Sequence, residues 1–351
     1  MKRYGNLYPQ ICSMENIQKA HLNARKGKAH YHEVRMVNAN EDLYLSKIQD
    51  MLLNKTFQNS EYTTFIKLDS KKEREIFKLP YFPDRIIHHC IVQILEPIWM
   101  KTLILDTYSS LKGRGIHKGV KRIKAALTDK ENTTYCLKMD VRKFYPSINH
   151  DILKSILQRK IKDPDVIWIL NEIIDSTEGV PIGNYLSQHF GNLYLSSFDH
   201  WMKEEQGCKY YFRYCDDVVI LHASKEHLAE LRMKVSRYLK KNLKLQLKNN
   251  WQIFPVGIRG IDFLGYRFYP SHTTLRKSIA TRFKQTVSQI KSSYPKTRGM
   301  VNSVMSYQGW LKYAKCYNLK TVLIDPQIHK IVEDICVKNG TNNPLRGGMH
   351  G

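Results

Sequence analysis

The sequence predicts an α+β fold, a small antiparallel sheet backed by helices. Three observations carry it. Thr134-Tyr135-Cys136-Leu137-Lys138-Met139 is β-prone and ends on Asp140. Lys209-Tyr210-Tyr211-Phe212-Arg213 and Val218-Val219-Ile220-Leu221 flank a short polar break and read as a hairpin. Between them lie helical stripes: Ile152, Leu153, Ile156, Leu157 and Ile161, then Val166, Ile169, Leu170 and Ile173. Asn149-His150-Asp151 and Asp163-Pro164 supply their N-terminal caps, and Gly179 is the expected stop of the second.

The hairpin tip is Tyr214-Cys215-Asp216-Asp217. Two adjacent carboxylates beside buried strands are costly unless neutralised, and a divalent cation with oxygen ligands does this simply. An ordinary Asp-Asp turn is the competing reading. Asp140 adds a third carboxylate. One acid at a strand end and an Asp-Asp hairpin downstream are what two-metal phosphoryl transfer requires: one ion acidifies an attacking 3′-hydroxyl, the other holds triphosphate and pyrophosphate. In this order the two motifs resemble the palm of reverse transcriptases. The resemblance implies a right-hand polymerase of fingers, palm and helical thumb. It also implies two Mg²⁺ ions, with Mn²⁺ a substitute, at catalytic Asp140, Asp216 and Asp217 and the backbone carbonyl of Val141. Asp140 and Asp216 are expected to bridge both ions, with Asp217 supporting them.

Composition narrows the partners. The chain has 351 residues, 42% hydrophobic, with 56 Lys plus Arg against 32 Asp plus Glu, a net charge of +24. That excess calls for a polyanion, nucleic acid before an acidic membrane surface. The seven cysteines form no Cys-x-x-Cys pair, which argues against a disulfide framework or zinc module and for a reducing compartment. Met1-Lys2-Arg3-Tyr4-Gly5-Asn6 lacks an apolar leader core, and no apolar run approaches a membrane span. The expected location is cytoplasmic, with no membrane partner; by resemblance, the cell is bacterial, a prophage-encoded gene being one option.

In chain order, residues 1–60 read as a helical lead-in, with Leu43, Leu45, Ile48, Leu52 and Leu53 at helical spacing. Residues 61–133 are the expected fingers. Tyr62–Leu68 and Glu75–Leu79 read as strands around a basic turn, Ser70-Lys71-Lys72-Glu73-Arg74. Lys72 and Arg74 are candidates for the incoming triphosphate; a solvated charged turn is the alternative. Pro83-Asp84-Arg85 suits a helix start, and adjacent His88 and His89 do not share a helix face, which favours packing over metal binding. In Ser109–Gly119, glycines and basic groups, Arg114 and Lys118 among them, point to template or phosphate contact without Walker spacing.

Residues 134–270 form the expected palm. Gly179-Val180-Pro181-Ile182-Gly183-Asn184-Tyr185-Leu186-Ser187-Gln188 precedes a long helical pattern running to Gly207. Most reverse transcriptases have Gln-Gly-x-x-x-Ser-Pro here. Ile182 and Gln188 replace the Gln and Pro, a form similar to the reverse transcriptases of diversity-generating retroelements. Gly183 is expected to let the backbone approach the nascent base pair. The resemblance places a sugar gate at Tyr145, which implies dNTP substrates, and a basic triphosphate neighbour at Lys248, after a helix over Glu226–Leu247. Phe263-Leu264-Gly265-Tyr266 resembles the primer grip, with Gly265 expected to meet the primer backbone.

Residues 271–339 are the expected basic thumb, and 340–351 a flexible tail. From residue 263 to 324 there are eleven basic residues and no acid. Lys277, Lys284 and Lys291 recur every seven residues on one face, which suits duplex phosphates. Gln308-Gly309-Trp310-Leu311 resembles the thumb signature of the same retroelement group, with Trp310 a core anchor.

The implied activity is RNA-directed DNA synthesis, error-prone at template adenines. The implied partners are template RNA, the cDNA primer/product duplex, dNTPs and a small basic accessory protein oligomer. Other bacterial reverse transcriptases (retron, group II intron-like or phage-defence) are the nearest alternative. An RNA-dependent RNA polymerase conflicts with an aromatic gate, and a catalytically dead RNA-binding protein conflicts with three intact carboxylates.

Overall fold

The lead-in helices form over apolar stripes, with a side-chain N-cap on the second. In the computed structural model, which describes residues 2–69, 72–294 and 297–338, they are α1 (Tyr8–Cys12), α2 (Met14–Ala24), α3 (His32–Ala39) and α4 (Glu41–Leu53). Ser13 caps α2 by accepting from the Asn16 N–H. Helix α4 buries Leu45, Ile48 and Leu52 but leaves Leu43 and Leu53 exposed, so its stripe is narrower than expected. Asn16 is pinned between elements: its amide donates to the Ile11 carbonyl at 3.0 Å and the Cys90 carbonyl at 3.1 Å.

Strands β1 (Thr63–Asp69) and β2 (Lys72–Lys78) form an antiparallel ribbon. Glu73 and Arg74, expected in the turn, lie in the ladder opposite Leu68 and Lys67. No Gly or Pro interrupts Lys72–Arg74, so nothing stops the strand there. After a turn over Tyr81–Arg85 containing a cis Phe82-Pro83 bond, α5 (Ile86–Met100) begins three residues later than the Pro83 signal. His88 and His89 are both buried in it, in packing roles.

Strand β3 (Tyr135–Asp140) sits inside a four-stranded sheet ordered β4-β5-β3-β6, with β4 at Tyr210–Tyr214, β5 at Asp217–His222 and β6 at Gln252–Pro255. Helices α7 (His150–Gln158) and α8 (Pro164–Ile174) carry the Asn149 and Asp163 caps as expected, but α8 stops at Ile174, before Gly179. The long helix expected to reach Gly207 is divided into α9 (Ser187–Tyr194), α10 (Ser196–His200) and a wider turn over Trp201–Glu205. Ser196 Oγ donates back to the Leu193 carbonyl at 2.6 Å, a bond that bends helices. Helix α11 (Lys225–Leu243) ends four residues short of Leu247. Lys244 takes φ +50°, and the Leu245 N–H returns to the Leu239 carbonyl, reversing the chain.

The chain divides into two compact units. One runs from the N-terminus to Gly115 and includes Lys138–Ile220 and Glu226–Gln252; the other comprises Ile116–Leu137, Leu221–Lys225 and the chain from Ile253 onward. The second unit contains α6 (Ile116–Ala126), α12 (Val256–Arg259), and a meander of β7 (Ile261–Phe263), β8 (Tyr266–Phe268) and β9 (Thr273–Leu275). Helices α13 (Lys277–Ser292), α14 (Arg298–Leu311), α15 (Tyr317–Leu323) and α16 (Pro326–Lys338) follow around a core that includes Phe283, Val287, Val304 and Ile328. Among the described residues no helix is long and apolar enough to cross a membrane. The tail expected over 340–351 lies outside the described residues, as does Lys296.

Candidate active site

The sheet order makes β3 and β5 neighbours, so the end of β3 meets the start of β5. The Val141 N–H donates to the Asp216 carbonyl at 3.3 Å, bringing Asp140 and Asp216 together. The reversal after α11 adds Lys248. Its N–H donates to the Asp140 carbonyl at 2.8 Å, and its Nζ stands 2.6 Å from Asp140 Oδ1 and 4.0 Å from Asp216 Oδ2. Lys248 is therefore a direct partner of the acidic pair. The Val141–Leu247 bridge is closed by their neighbours, Arg142 N–H to Gln246 O and Lys248 N–H to Asp140 O, which leaves the Val141 carbonyl outside it.

The three carboxylates differ. Burial, then the neighbouring Asp140, pushes the Asp216 carboxyl up to about 6, against the pull of Lys248. Burial pushes Asp217 up to about 7 despite Lys138, whose Nζ lies 3.4 Å from Asp217 Oδ2. Asp217 Oδ1 is buried with no hydrogen-bond partner. Among the described residues no three acidic, His or Cys side chains form a ready-made metal cage. Asp140 and Asp216 converge, while Asp217 faces Lys138. Hard oxygens whose negative charge Lys248 and Lys138 only partly offset, with one buried oxygen unpartnered, fit a divalent cation.

Cys215 holds the turn in the left-handed region, at φ +56°. A buried network that sequence reasoning missed fixes it there. Arg213 Nη1 donates to the Cys215 carbonyl at 2.9 Å. The same guanidinium donates through Nε at 2.7 Å and Nη2 at 2.5 Å to Asp199, and both residues are fully buried. Tyr211 Oη also donates to Asp199, at 2.5 Å, and Asn192 Oδ1 accepts from Arg213 at 3.3 Å. Asp199 lies on α10 and Arg213 on β4, so no sequence period connects them. Lys138 was legible, being two residues from Asp140 and on the same strand face.

Tyr145 stands beside this turn, and Cys215 Sγ donates to its Oη at 3.2 Å. Its ring rests against α9 at Gly191, where an added Cβ would lie 3.1 Å from Tyr145 Cε1. Phe144, next to it, is buried packing.

Several expected contacts belong to the protein itself. Gly183, at φ +121°, is approached by the Phe77 carbonyl of β2, while the Phe77 N–H donates to the Ile182 carbonyl at 2.8 Å. The close approach read from this glycine is thus to the ribbon of this chain. Ile182 is half-buried and Gln188 exposed. Gly265 is in a two-residue turn at φ +83°, where an added Cβ would meet the Trp310 ring and Ile279 Cδ1 at 2.8 Å. The Cβ side of Gly265 is therefore filled by packing within the chain. Tyr266 is fully buried and its Oη donates to the Trp310 carbonyl at 2.9 Å, so it presents no surface to a primer. Trp310 is the anchor expected.

Arg114 Nη1 is engaged by the Ile104 carbonyl at 2.8 Å and the Leu103 carbonyl at 3.3 Å, so part of its fork braces its own loop. Lys118 is exposed on α6. Lys277 and Lys284 are exposed on α13, but Lys291 pairs with Asp325, the first acid after the acid-free stretch. Arg74 opposes Lys67 across the ribbon. Lys72 opens β2.

A strand-end acid, an acidic hairpin and a basic ribbon define the palm and fingers of a nucleotidyl-transferring polymerase. Comparison with known proteins agrees. Residues 66–268 match the family described as reverse transcriptase (RNA-dependent DNA polymerase). Protein YkfC of Escherichia coli (strain K12) is 23% identical over 278 residues, covering 66% of this chain and 73% of that protein. Nuclear intron maturase 1, mitochondrial, of Arabidopsis thaliana is 21% identical over 110 residues, covering 31% of this chain and 15% of that protein. The apo telomerase structure from Candida tropicalis superposes with a TM-score of 0.52 at 12% identity, covering 81% of this chain and 59% of the telomerase chain. The chain belongs to the reverse transcriptase family, the RNA-dependent DNA polymerases, and has their right-hand fold.

Proposed function

We propose that this chain copies a template-repeat RNA into cDNA with selective errors at template adenines, as the polymerase of a diversity-generating retroelement. The observation that carries the reading is Ile182, half-buried beside Gly183 where most reverse transcriptases place Gln. A polar side chain at a nascent pair discriminates strongly, because a mispair leaves buried groups unpaired. An apolar wall discriminates far less. Exposed Gln188 in place of Pro supports the same assignment.

Asp140 and Asp216, with Asp217 and the Val141 carbonyl, would hold two Mg²⁺ ions, for which Mn²⁺ can substitute. When bound, such ions supply charge stabilisation and an acidified 3′-hydroxyl. The protein's own groups do the rest. Lys248 offsets charge at the acidic pair, and Arg74 and Lys72 are assigned to the triphosphate. Tyr145 excludes a 2′-hydroxyl and so selects dNTPs. Lys277, Lys284 and Lys118 are assigned to phosphates of template and primer/product duplex. A small basic accessory oligomer and a cytoplasmic setting complete the reading.

The test is sequencing of cDNA made by wild type and Ile182→Gln on one defined RNA. Wild type is expected to err at adenine and Ile182→Gln to err less. Equal adenine error rates would remove Ile182 from the mechanism. Low, base-independent errors in wild type would favour an intron-type enzyme, the reading suggested by the maturase relative.

A further inference from the structure

A cavity of about 240 Å³ lies within the first compact unit, where the lead-in residues Lys28 and Tyr31 meet Arg85, His88 and Tyr185. Its charge is uncompensated. The acid in its wall, Glu33, is engaged by Lys78 Nζ at 3.6 Å and by the Tyr81 N–H. Among the described residues no carboxylate pairs with Arg85 or Lys28. The two cations are close enough that, after burial, Arg85 helps lower the Lys28 pKa.

Two nitrogens of residues lining this cavity, Arg85 Nε and His88 Nε2, are buried without a hydrogen-bond partner, and His88 is 1% exposed. A guanidinium held partly out of water with no carboxylate partner is costly unless an anion completes it. The walls are aromatic as well as basic. Arg85 lies 5.8 Å from the Tyr185 ring centroid, and Tyr185 is stacked on His89 at 4.0 Å. Tyr31 and Phe65, at 49% and 48% exposure, leave one side open.

An anion carrying a planar ring satisfies both features, and a nucleoside phosphate is that chemistry. Two sources exist, a free nucleotide and a strand. The open side lets a chain continue outward, and the floor, Gly183-Asn184-Tyr185, follows directly on Ile182. We propose that this cavity receives an unpaired nucleotide of the template RNA ahead of the base being copied, with its phosphate toward Arg85 and Lys28 and its base toward Tyr31 and Tyr185. The proposal rests on the reading of this chain as an enzyme that copies RNA, and gives the lead-in a role beyond packing.

The experiment measures affinity of the full chain, without dNTPs, for an RNA template annealed to a DNA primer. The template carries one or three overhanging 5′ nucleotides, and the readout is the ratio of the two affinities within each variant. Wild type should gain about tenfold from the longer overhang. Arg85→Gln, Lys28→Gln and Tyr31→Ala should each lose most of that gain. Tyr31 is half exposed, so its variant keeps the test sharp even where Arg85→Gln fails to fold. An unchanged ratio in Lys28→Gln and Tyr31→Ala, or no gain in wild type, overturns the proposal. So does AMP abolishing the gain at concentrations that leave the one-nucleotide complex intact, since the site would then be one for free nucleotide. Extension of the same primer on addition of dNTPs is scored separately: copying without an overhang gain defeats the cavity assignment alone, whereas failure to copy counts against the enzyme reading.

Discussion

Asp199→Asn should destabilise the first compact unit and slow catalysis through a residue remote from substrate. In the native chain Asp199 accepts from Arg213 Nε at 2.7 Å, Arg213 Nη2 at 2.5 Å and Tyr211 Oη at 2.5 Å, all fully buried. Removing the charge leaves the Arg213 guanidinium uncompensated in the interior, a loss of about 3–5 kcal/mol. With a urea m-value of roughly 3 kcal/mol per molar, the midpoint should move down by about 1–1.7 M. Asp199→Leu with Arg213→Met replaces the whole pair by apolar groups, so stability should largely return. Turnover should not, because the Cys215 carbonyl has lost its donor and the left-handed turn carrying Asp216 is no longer held. Urea unfolding and single-turnover dNTP incorporation are measured on the same preparations. A midpoint change below about 0.2 M in Asp199→Asn, or normal turnover in the stable double variant, would refute the reasoning.

Asp140→Asn or Asp216→Asn should abolish dNTP incorporation while RNA affinity, measured by filter binding, stays near wild type. Substantial incorporation by Asp140→Asn contradicts the two-metal assignment. Tyr145→Ala should admit ribonucleotides, read as the ratio of NTP to dNTP incorporation; an unchanged ratio removes the gate. Magnesium binding requires ionised carboxylates, and Asp216 and Asp217 sit near 6 and 7, so affinity should fall as pH drops from 8 to 6, by about tenfold or more, in calorimetry. A flat profile would place the ion elsewhere. Each duplex phosphate neutralised contributes about 0.9 to the log–log salt slope, so Lys277→Gln with Lys284→Gln should flatten it by up to about 2. No change would mean an idle, solvated face.

The converging carboxylates were legible because their signal is local: a strand ending on an acid, and an acidic break between two apolar runs. Caps at Asn149 and Asp163 were legible for the same reason. What failed was the identity of partners across the fold. Gly183 and Gly265 announced close approaches, but a glycine does not say what approaches, and here it is the Phe77 carbonyl and the Trp310 ring of the same chain. Lys291 looked like part of a phosphate-binding row because its partner, Asp325, lies one residue beyond the acid-free stretch. Lys248 was identified by resemblance alone, since its place depends on a chain reversal after α11. Asp199 and Arg213 left no trace at all: a buried ion pair joining a helix to a strand has no period in sequence.

Gly191 carries a consequence for how sugar selection could drift. A methyl there would stand 3.0 Å from Phe144 Cε1 and 3.1 Å from Tyr145 Cε1, a few tenths of an ångström too near. The proposed gate is thus backed by bare helix, and its clearance is set from behind, by an atom that is missing. Stringency against ribose can then be tuned without touching the tyrosine, the metal ligands or the nucleotide. A single Gly191→Ala change is expected to crowd both rings and alter the clearance of the proposed gate. If Tyr145 is the gate, the helix behind it works as a set-screw for sugar selection.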